Sequence, residues 1–308
     1  MTSDDRPSAG TWQTRAPLLA PIADVPAQPS RQRGPATRVF KPVSQAMAVT
    51  ATVSVVIPAR NEAPNLPHVF ATMPQWVDEV ILVDGASTDD TIAVAQRLWP
   101  EIRVVRQAGR GKGDALLAGF AAASGDIIVM IDADGSNDGA EIVQFVGALA
   151  AGADFAKGSR FSGSGQSDDI TGVRRCGNRI LNILVNRMFR TQFTDLCYGY
   201  NAFWSRHLDA LQIDCTGFEI ETLMNIRAAK VGLKIHEIPS HERRRIFGTS
   251  NLRAFRDGWR ILKVIIRERF SHLEERDPNG IAPTVPVPAL SGVLAEVANA
   301  GRGRGMST

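Results

Sequence analysis

Two carboxylates one residue apart, Asp132 and Asp134, follow directly on the apolar run Ile127–Ile131, in the order Asp132-Ala133-Asp134-Gly135. Acidic groups leaving a dry strand side by side repel each other and lose hydration unless something positive sits between them. A hard divalent cation with oxygen ligands, Mg2+ or Mn2+, meets that need and would also bridge diphosphate oxygens. The competing account is a solvated acidic turn.

Three further segments carry polar groups at the ends of apolar runs. Pro58-Ala59-Arg60-Asn61-Glu62 follows the first run, and Asn61 or Glu62 has the chemistry to bond a nucleotide base or ribose. The second run closes on Asp84-Gly85-Ala86-Ser87-Thr88-Asp89-Asp90. Ser87 or Thr88 suits the cap of a helix starting near Asp90, whose first turn favours acidic residues. Capping leaves Asp84 unexplained, and a carboxylate at that strand end is a good ribose or base acceptor. In Gly109-Arg110-Gly111-Lys112-Gly113 the glycines permit close backbone approach, and Lys112 has the charge to neutralise a diphosphate beside a helix N-terminus. This is not a Walker loop, because Gly rather than Ser or Thr follows Lys112.

Such segments act together only if a scaffold gathers them. Apolar, largely β-branched runs lie at Val53–Ile57, Val80–Val83, Ile102–Val105 and Ile127–Ile131, with a weaker one at Asp154–Lys157. Helical patterns fall between them at about 65–73, 88–98, 113–123 and 139–151. This alternation predicts an α/β fold, a mostly parallel twisted sheet flanked by helices. Right-handed crossovers then line up the strand C-terminal ends on one edge, where open α/β sheets bind ligands. Beyond residue 160 the pattern predicts a helix over 173–190, a strand near Cys197–Trp204, a helix at about 217–231, a strand at Lys234–Ile238 and a last helix from about 250 to 270.

Composition narrows the class. Of 17 prolines in 308 residues, 11 lie in residues 1–50 and 277–308, segments without periodicity that are read as disordered tails around a single domain at 51–276. Cys176, Cys197 and Cys215 form no paired spacing and read as free thiols of a reducing compartment. A net charge of +3 gives no reason to expect nucleic-acid binding. Neither a long apolar span nor a signal-peptide h-region is present, so a cytoplasmic protein is expected.

Taken in order, Pro-Ala-Arg-Asn-Glu, Val-Asp-Gly-Ala-Ser-Thr-Asp, Gly-Lys-Gly-Asp-Ala-Leu and Asp-Ala-Asp-Gly resemble the family 2 glycosyltransferases of the glycosyltransferase A fold, a Rossmann-like nucleotide-binding fold. The resemblance covers about residues 52–270. Gly158-Ser159-Arg160, Asp195–Tyr200, Gly217–Glu221 and Arg244–Ser250 are similar to the dolichyl- or polyprenyl-phosphate mannosyltransferase branch. The resemblance implies that Pro58, Ala59, Arg60, Glu62 and Asp84 hold the nucleoside. It implies that Asp132 and Asp134 form an Asp-x-Asp metal site, with Ala133 giving backbone contact. Arg160 and Arg174 would contact an acceptor phosphate, with Asn178 where the branch has Ser. Ser136 stands where the branch often has Gln, and Asn251 where it often has Lys. That leaves Arg243, Arg244 or Arg245 for the donor diphosphate.

The implied reaction moves a hexose from a nucleotide-diphosphate sugar to a polyprenyl phosphate with inversion. A phosphate acceptor is already a nucleophile and needs arginines to position it, whereas a hydroxyl acceptor needs a base. Asp195 is the candidate base for that second case, beside its other reading as a structural hydrogen-bonding residue. In the last helix Leu252, Phe255, Trp259, Leu262 and Ile266 form an apolar stripe, and residues 243–269 hold nine Lys/Arg against two Asp/Glu. Together with Ile180, Leu181, Leu184, Val185 and Met188 upstream, this reads as peripheral contact with an anionic membrane, beside the competing account of a helix packed on the core with solvated arginines. Competing expectations are a soluble sugar or phosphorylated small-molecule acceptor, a nucleotidyltransferase, and a non-catalytic nucleotide-sugar-binding module.

Overall fold

The structure, a computed structural model, describes residues 51–249, 253–271 and 273. Both tails and Leu252 of the apolar stripe lie outside the described residues. Within them a seven-stranded sheet is built from β1 (Val53–Ala59), β2 (Glu79–Asp84), β3 (Arg103–Arg106), β4 (Ile127–Met130), β5 (Phe155–Ser159), β7 (Asn201–Trp204) and β8 (Ile235–Pro239). Its spatial order is β3-β2-β1-β4-β7-β5-β8. All pairings are parallel except those of β7, which runs antiparallel between β4 and β5. A second, two-stranded sheet pairs β6 (Gln166–Ser167) with β9 (His241–Glu242); neither strand is foreseen from the sequence.

The apolar runs are continuous because the central strands bury both faces. Val53, Val55, Ile57, Val80, Leu82, Ile127 and Val129 point to one side, against α1 (Leu66–Ala71), α2 (Thr91–Leu98) and α4 (Ile142–Ala150). Val56, Ile81, Val83, Ile128 and Met130 point to the other, against α3 (Lys112–Ala122) and α7 (Ile220–Lys230). That is the two-residue period of a strand, with each fully buried aliphatic side chain contributing about 2 kcal/mol. Gly119 lets α3 lie close on the sheet: a Cβ there would stand 2.9 Å from Val83 Cγ2.

A third layer joins α5 (Gly172–Phe189), α7 and α8 (Ala254–Phe270) around Val185, Leu196, Ile226, Ile261 and Ile265. Only one side of α8 enters it. Phe255, Trp259 and Ile266 of the expected apolar stripe face solvent, as do Ile180 and Ile183 on α5, whereas Leu181, Leu184 and Met188 pack inward. The helix thus has two apolar faces, and the one read from sequence is the outer one.

Ion pairs tie α8 to α7. Glu268 lies wholly buried with Arg227 Nη2 at 2.9 Å and Lys230 Nζ at 3.0 Å. Burial alone would raise its carboxyl; hydrogen bonds from Arg227 and Lys230 outweigh that and hold it at about 2. A folded value below the ordinary 4.5 stabilises above pH 4.5, and the gain is lost as pH falls from there towards 2. Glu268→Gln is expected to cost about 3 kcal/mol at neutral pH. Urea titrations should show the gap from wild type closing below pH 4.5; an equal gap at every pH would refute the assignment.

Candidate active site

Strands β1, β2, β3 and β4 all end on one edge, so the loops after them converge. Together with α5, β9 and α8 those loops enclose a cleft of about 780 Å³. Pro58, Ala59, Arg60 and Glu62 line it from the first loop, Gly85 and Ala86 from the second, and Gly109 to Lys112 from the third. The fourth contributes Asp132, Ala133, Asp134 and Ser136. All four sequence segments are therefore represented in one cavity.

The acidic turn is held from below. Asn137 Oδ1 accepts the Asp132 amide at 2.8 Å while its Nδ2 donates to the Tyr198 hydroxyl at 2.9 Å. Asp134 Oδ1 accepts the Ser136 amide at 3.0 Å, and Gly135 takes φ +77, which closes the turn. Each carboxylate meets a cation: Asp132 pairs with Lys112, and Asp134 Oδ2 lies 2.8 Å from Arg245 Nη2. Arg245 Nη1 is also 3.1 Å from Glu62 Oε1, and Lys112 Nζ is 2.8 Å from Glu221 Oε1. Burial would lower Lys112, but Asp132 and Glu221 outweigh it and keep the ammonium charged above its ordinary range. Burial pushes the Glu221 carboxyl up, and Lys112 only partly offsets this.

Two carboxylates on one turn, facing the cleft and already drawing cations, are a fit for a hard divalent ion. No cluster of three or more His, Cys, Asp or Glu suited to a metal exists among the described residues. The remaining ligands would have to be oxygens of a bound diphosphate and water, which is how small oxygen-seeking ions are often held at phosphates.

Several expectations need correction. The glycines at 111 and 113 serve packing inside the protein, because a Cβ on either would strike the backbone at Cys215–Thr216. The Thr216 carbonyl takes the Gly113 and Asp114 amides at 2.9 and 3.3 Å, so this helix start is not open for an anion. Lys112, which lines the cleft, pairs with Asp132 and Glu221. Neither Ser87 nor Thr88 caps α2, whose N-cap is Asp90 without a side-chain bond. Ser87 Oγ instead accepts the Asn61 amide, and Asn61 Oδ1 accepts the Thr88 amide. Asn61, at φ 56, and Asp84, whose carboxylate accepts the Ser87 amide, therefore shape the loops and do not line the cleft. Arg244 is exposed away from the cleft, and Arg243 pairs with Asp138, which leaves Arg245 as the arginine of that segment in the cavity.

Around Arg160 the cleft wall is a closed network. Arg160 Nε and Nη2 reach Asp195 at 2.7 and 3.0 Å, Nη1 reaches Glu242 at 3.1 Å, and the guanidinium lies over the Tyr198 ring. Asn178 donates to Asp195 at 2.9 Å and accepts the Leu196 amide at 3.3 Å. Asp195 is fully buried; burial would raise its carboxyl, but Arg160 prevails and holds it below the ordinary range. A carboxylate so occupied is not placed as a base, and it does not line the cleft. Arg160, Arg174 and Asn178 do, with Arg174 Nη1 3.9 Å from Asp169. Cys197 also lines it, its thiol pushed up by burial to about 12 and so inert as a nucleophile.

The sequence motifs contain Glu221 and Gly199 without giving either a role, and Glu242 lies outside them. Glu221 left a signal, its place in the motif Gly217-Phe218-Glu219-Ile220-Glu221. Gly199 has none in composition, yet a Cβ there would lie 2.7 Å from Lys112 Nζ and 3.0 Å from Asp132 Oδ2.

The profile described as Glycosyl transferase family 2 matches residues 54–211, just over half of the chain. The chain belongs to glycosyl transferase family 2. It is 30% identical over 218 residues to Glycosyltransferase AglJ of Haloferax volcanii, covering 70% of this chain and 71% of that protein. It is 29% identical over 197 residues to a dolichol-phosphate mannosyltransferase of Pyrococcus furiosus, covering 61% of this chain and 55% of that one. The crystal structure of glucosyl-3-phosphoglycerate synthase from Mycobacterium tuberculosis, in complex with Mn2+, UDP and glucosyl-3-phosphoglycerate, superposes with a TM-score of 0.57 at 26% identity. The match covers 71% of this chain and 80% of that one. The protein is a glycosyltransferase with the glycosyltransferase A fold, as the sequence motifs imply. No helix among the described residues is long and apolar enough to cross a membrane.

Proposed function

We propose that this glycosyltransferase moves a hexose from a nucleotide-diphosphate sugar to a polyprenyl phosphate while resting on the cytosolic surface of an anionic membrane. One observation carries the reading: the cleft that holds Asp132 and Asp134 also runs between α5 and α8, where its wall turns apolar with Val173, Leu181, Phe255 and Ile261. A wholly water-soluble acceptor gives no reason for that wall. The name of the Pyrococcus relative supports the same acceptor class. The Mycobacterium synthase supports a nucleotide sugar and Mn2+, and it favours as second reading a phosphorylated small molecule as acceptor.

In this proposal the nucleoside lies against Pro58–Arg60 and Gly85–Ala86, and the diphosphate lies over Asp132 and Asp134. A bound Mg2+ or Mn2+ supplies Lewis-acid stabilisation of the leaving diphosphate. Arg245 exchanges Asp134 and Glu62 for a diphosphate oxygen, gaining a doubly charged partner. Arg174, beside the rigid Arg160–Asp195–Glu242 group, orients the acceptor phosphate oxygen towards the anomeric carbon. That oxygen is already anionic, so the reaction needs no base and the occupied state of Asp195 is no obstacle. Phe255, Trp259, Ile266 and Phe270 face outward on α8 among Arg253, Arg256, Lys263 and Arg269, which suits a helix lying on anionic lipid.

The test uses the full chain with several nucleotide sugars, Mn2+ or Mg2+, and either a polyprenyl phosphate in anionic liposomes or 3-phosphoglycerate in solution. Expected results are chelator-sensitive release of nucleoside diphosphate, labelled lipid, and cosedimentation with the liposomes that weakens with salt. Transfer to phosphoglycerate alone, without liposome binding, would establish the second reading instead.

A further inference from the structure

The notch between the N-terminal halves of α5 and α8 has a feature that its apolar lining does not explain. These helices pack through Leu181, Leu184, Val185 and Met188 against Ile261 and Ile265. Towards their N-termini the cleft enters between them, lined by Val173, Gly177 and Leu181 on one side and Phe255, Gly258 and Ile261 on the other. A glycine inside a helix costs about 1 kcal/mol relative to alanine. Elsewhere in the chain that cost has a visible reason. Gly113 and Gly119, inside α3, sit where a Cβ would collide. Gly177 and Gly258 have no such reason: a Cβ on either meets nothing within 4 Å. Gly147 on α4 and Gly172, the first residue of α5, share this property, but neither lines the cleft. Gly177 and Gly258 stand on both walls of one notch.

We propose that Gly177 and Gly258 keep this notch open for the first isoprene units of the acceptor, whose phosphate lies at Arg174. The inference rests on the polyprenyl-phosphate reading and assigns its tail a place. The notch is continuous with the carboxylate pair at its inner end. At its outer end Phe255 is 88% and Val173 63% exposed, so a chain leaving it emerges among apolar side chains rather than in bare water. Arg174, one residue from Val173 and three from Gly177, puts positive charge where the head group would sit. From Val173 to Leu181 the α5 wall runs about 12 Å, room for an extended hydrocarbon but not for the sugar and base already placed elsewhere. The ligand class is therefore an anionic head with a linear apolar tail.

Acceptors of graded length test this directly. Wild-type protein is assayed with prenyl phosphates from two isoprene units upward in detergent micelles, beside Gly177→Leu, Gly258→Leu and the double variant. For wild type, KM should fall about tenfold or more with length and then level off once the notch is filled. In the leucine variants KM for the long acceptors should rise about tenfold or more, with KM for the shortest and the calorimetric affinity for nucleoside diphosphate plus Mn2+ nearly unchanged. Leucine is a better helix former than glycine, so the variants should melt no lower than wild type. Gly177→Ala, which adds one methyl group, should raise KM for the long acceptors by less than Gly177→Leu does. Variants with wild-type KM at every length, or with lost nucleotide affinity, would overturn the assignment of the notch while the proposed reaction stands. Absence of transfer to any prenyl phosphate by wild type would overturn both.

Discussion

Asp134→Asn is expected to lower turnover by about a thousandfold while leaving the fold in place. The amide keeps the shape of the turn, since its oxygen still accepts the Ser136 amide that Asp134 Oδ1 accepts at 3.0 Å. What goes is one of two negative charges that would hold a divalent ion against a diphosphate. Stability should change little, because Arg245 retains Glu62 at 3.1 Å and the lost pair is partly solvated, worth about 1 kcal/mol or less. Two measurements separate the possibilities: nucleoside diphosphate release at saturating acceptor, and calorimetric Mn2+ affinity with nucleotide present. Turnover within tenfold of wild type, or unaltered metal affinity, would remove Asp134 from the role given to it.

The largest structural effect should come from Asp195→Asn. Asp195 is wholly buried, takes two guanidinium nitrogens and the backbone amide of Arg160, and takes the Asn178 amide as well. Neutralising it leaves the buried Arg160 guanidinium with Glu242 as its remaining counter-ion, and breaking such a pair costs about 3 to 5 kcal/mol. For a domain of this size that is a fall of about 10 °C in melting temperature. The pH argument has a definite sign. Arg160 holds the Asp195 carboxyl below 3.8, so its stabilisation is complete above that value and fades only as pH falls further. An acid limb in activity between about pH 5 and 8 therefore cannot belong to Asp195. The positioning role predicts a raised KM for the phosphate acceptor, smaller changes in kcat and an unshifted pH profile. A variant that melts like wild type, or that shifts the acid limb, would restore the reading of Asp195 as a base.

These expectations show where the sequence was legible. The strand runs Val53–Ile57, Val80–Val83 and Ile127–Ile131 were plain because both faces of a central parallel strand are buried, which leaves an uninterrupted apolar record. The motifs at their ends could be assigned to one edge because crossover handedness leaves little choice. Asp132 and Asp134 stood out for the same reason, as charges at the end of a dry strand. By contrast Lys112 reads as a charge for a diphosphate, Arg160 as a ligand of an acceptor phosphate, and Asp195 as either a base or a structural hydrogen-bonding residue. Each is occupied by a partner distant in the chain: Glu221 lies 109 positions from Lys112, Glu242 lies 82 from Arg160, and Asp195 lies 35 from Arg160. Charge type is written locally; charge pairing is not.

What the sequence determined by itself is the class of scaffold, the family and the small set of residues around which chemistry is built, because periodicity, strand-end position and residue type are local properties. Tertiary structure decided which of those residues are available and which hold others in place. It also decided which side of α8 faces solvent, since Ile261, Val264 and Ile265 on the packing face and Phe255, Trp259 and Ile266 on the outer face are all apolar. Only docking against α5 and α7 distinguishes them. The physical reason is common to all these cases: burial and ion pairing depend on what approaches from elsewhere in the chain, and that approach exists only once the layers have closed.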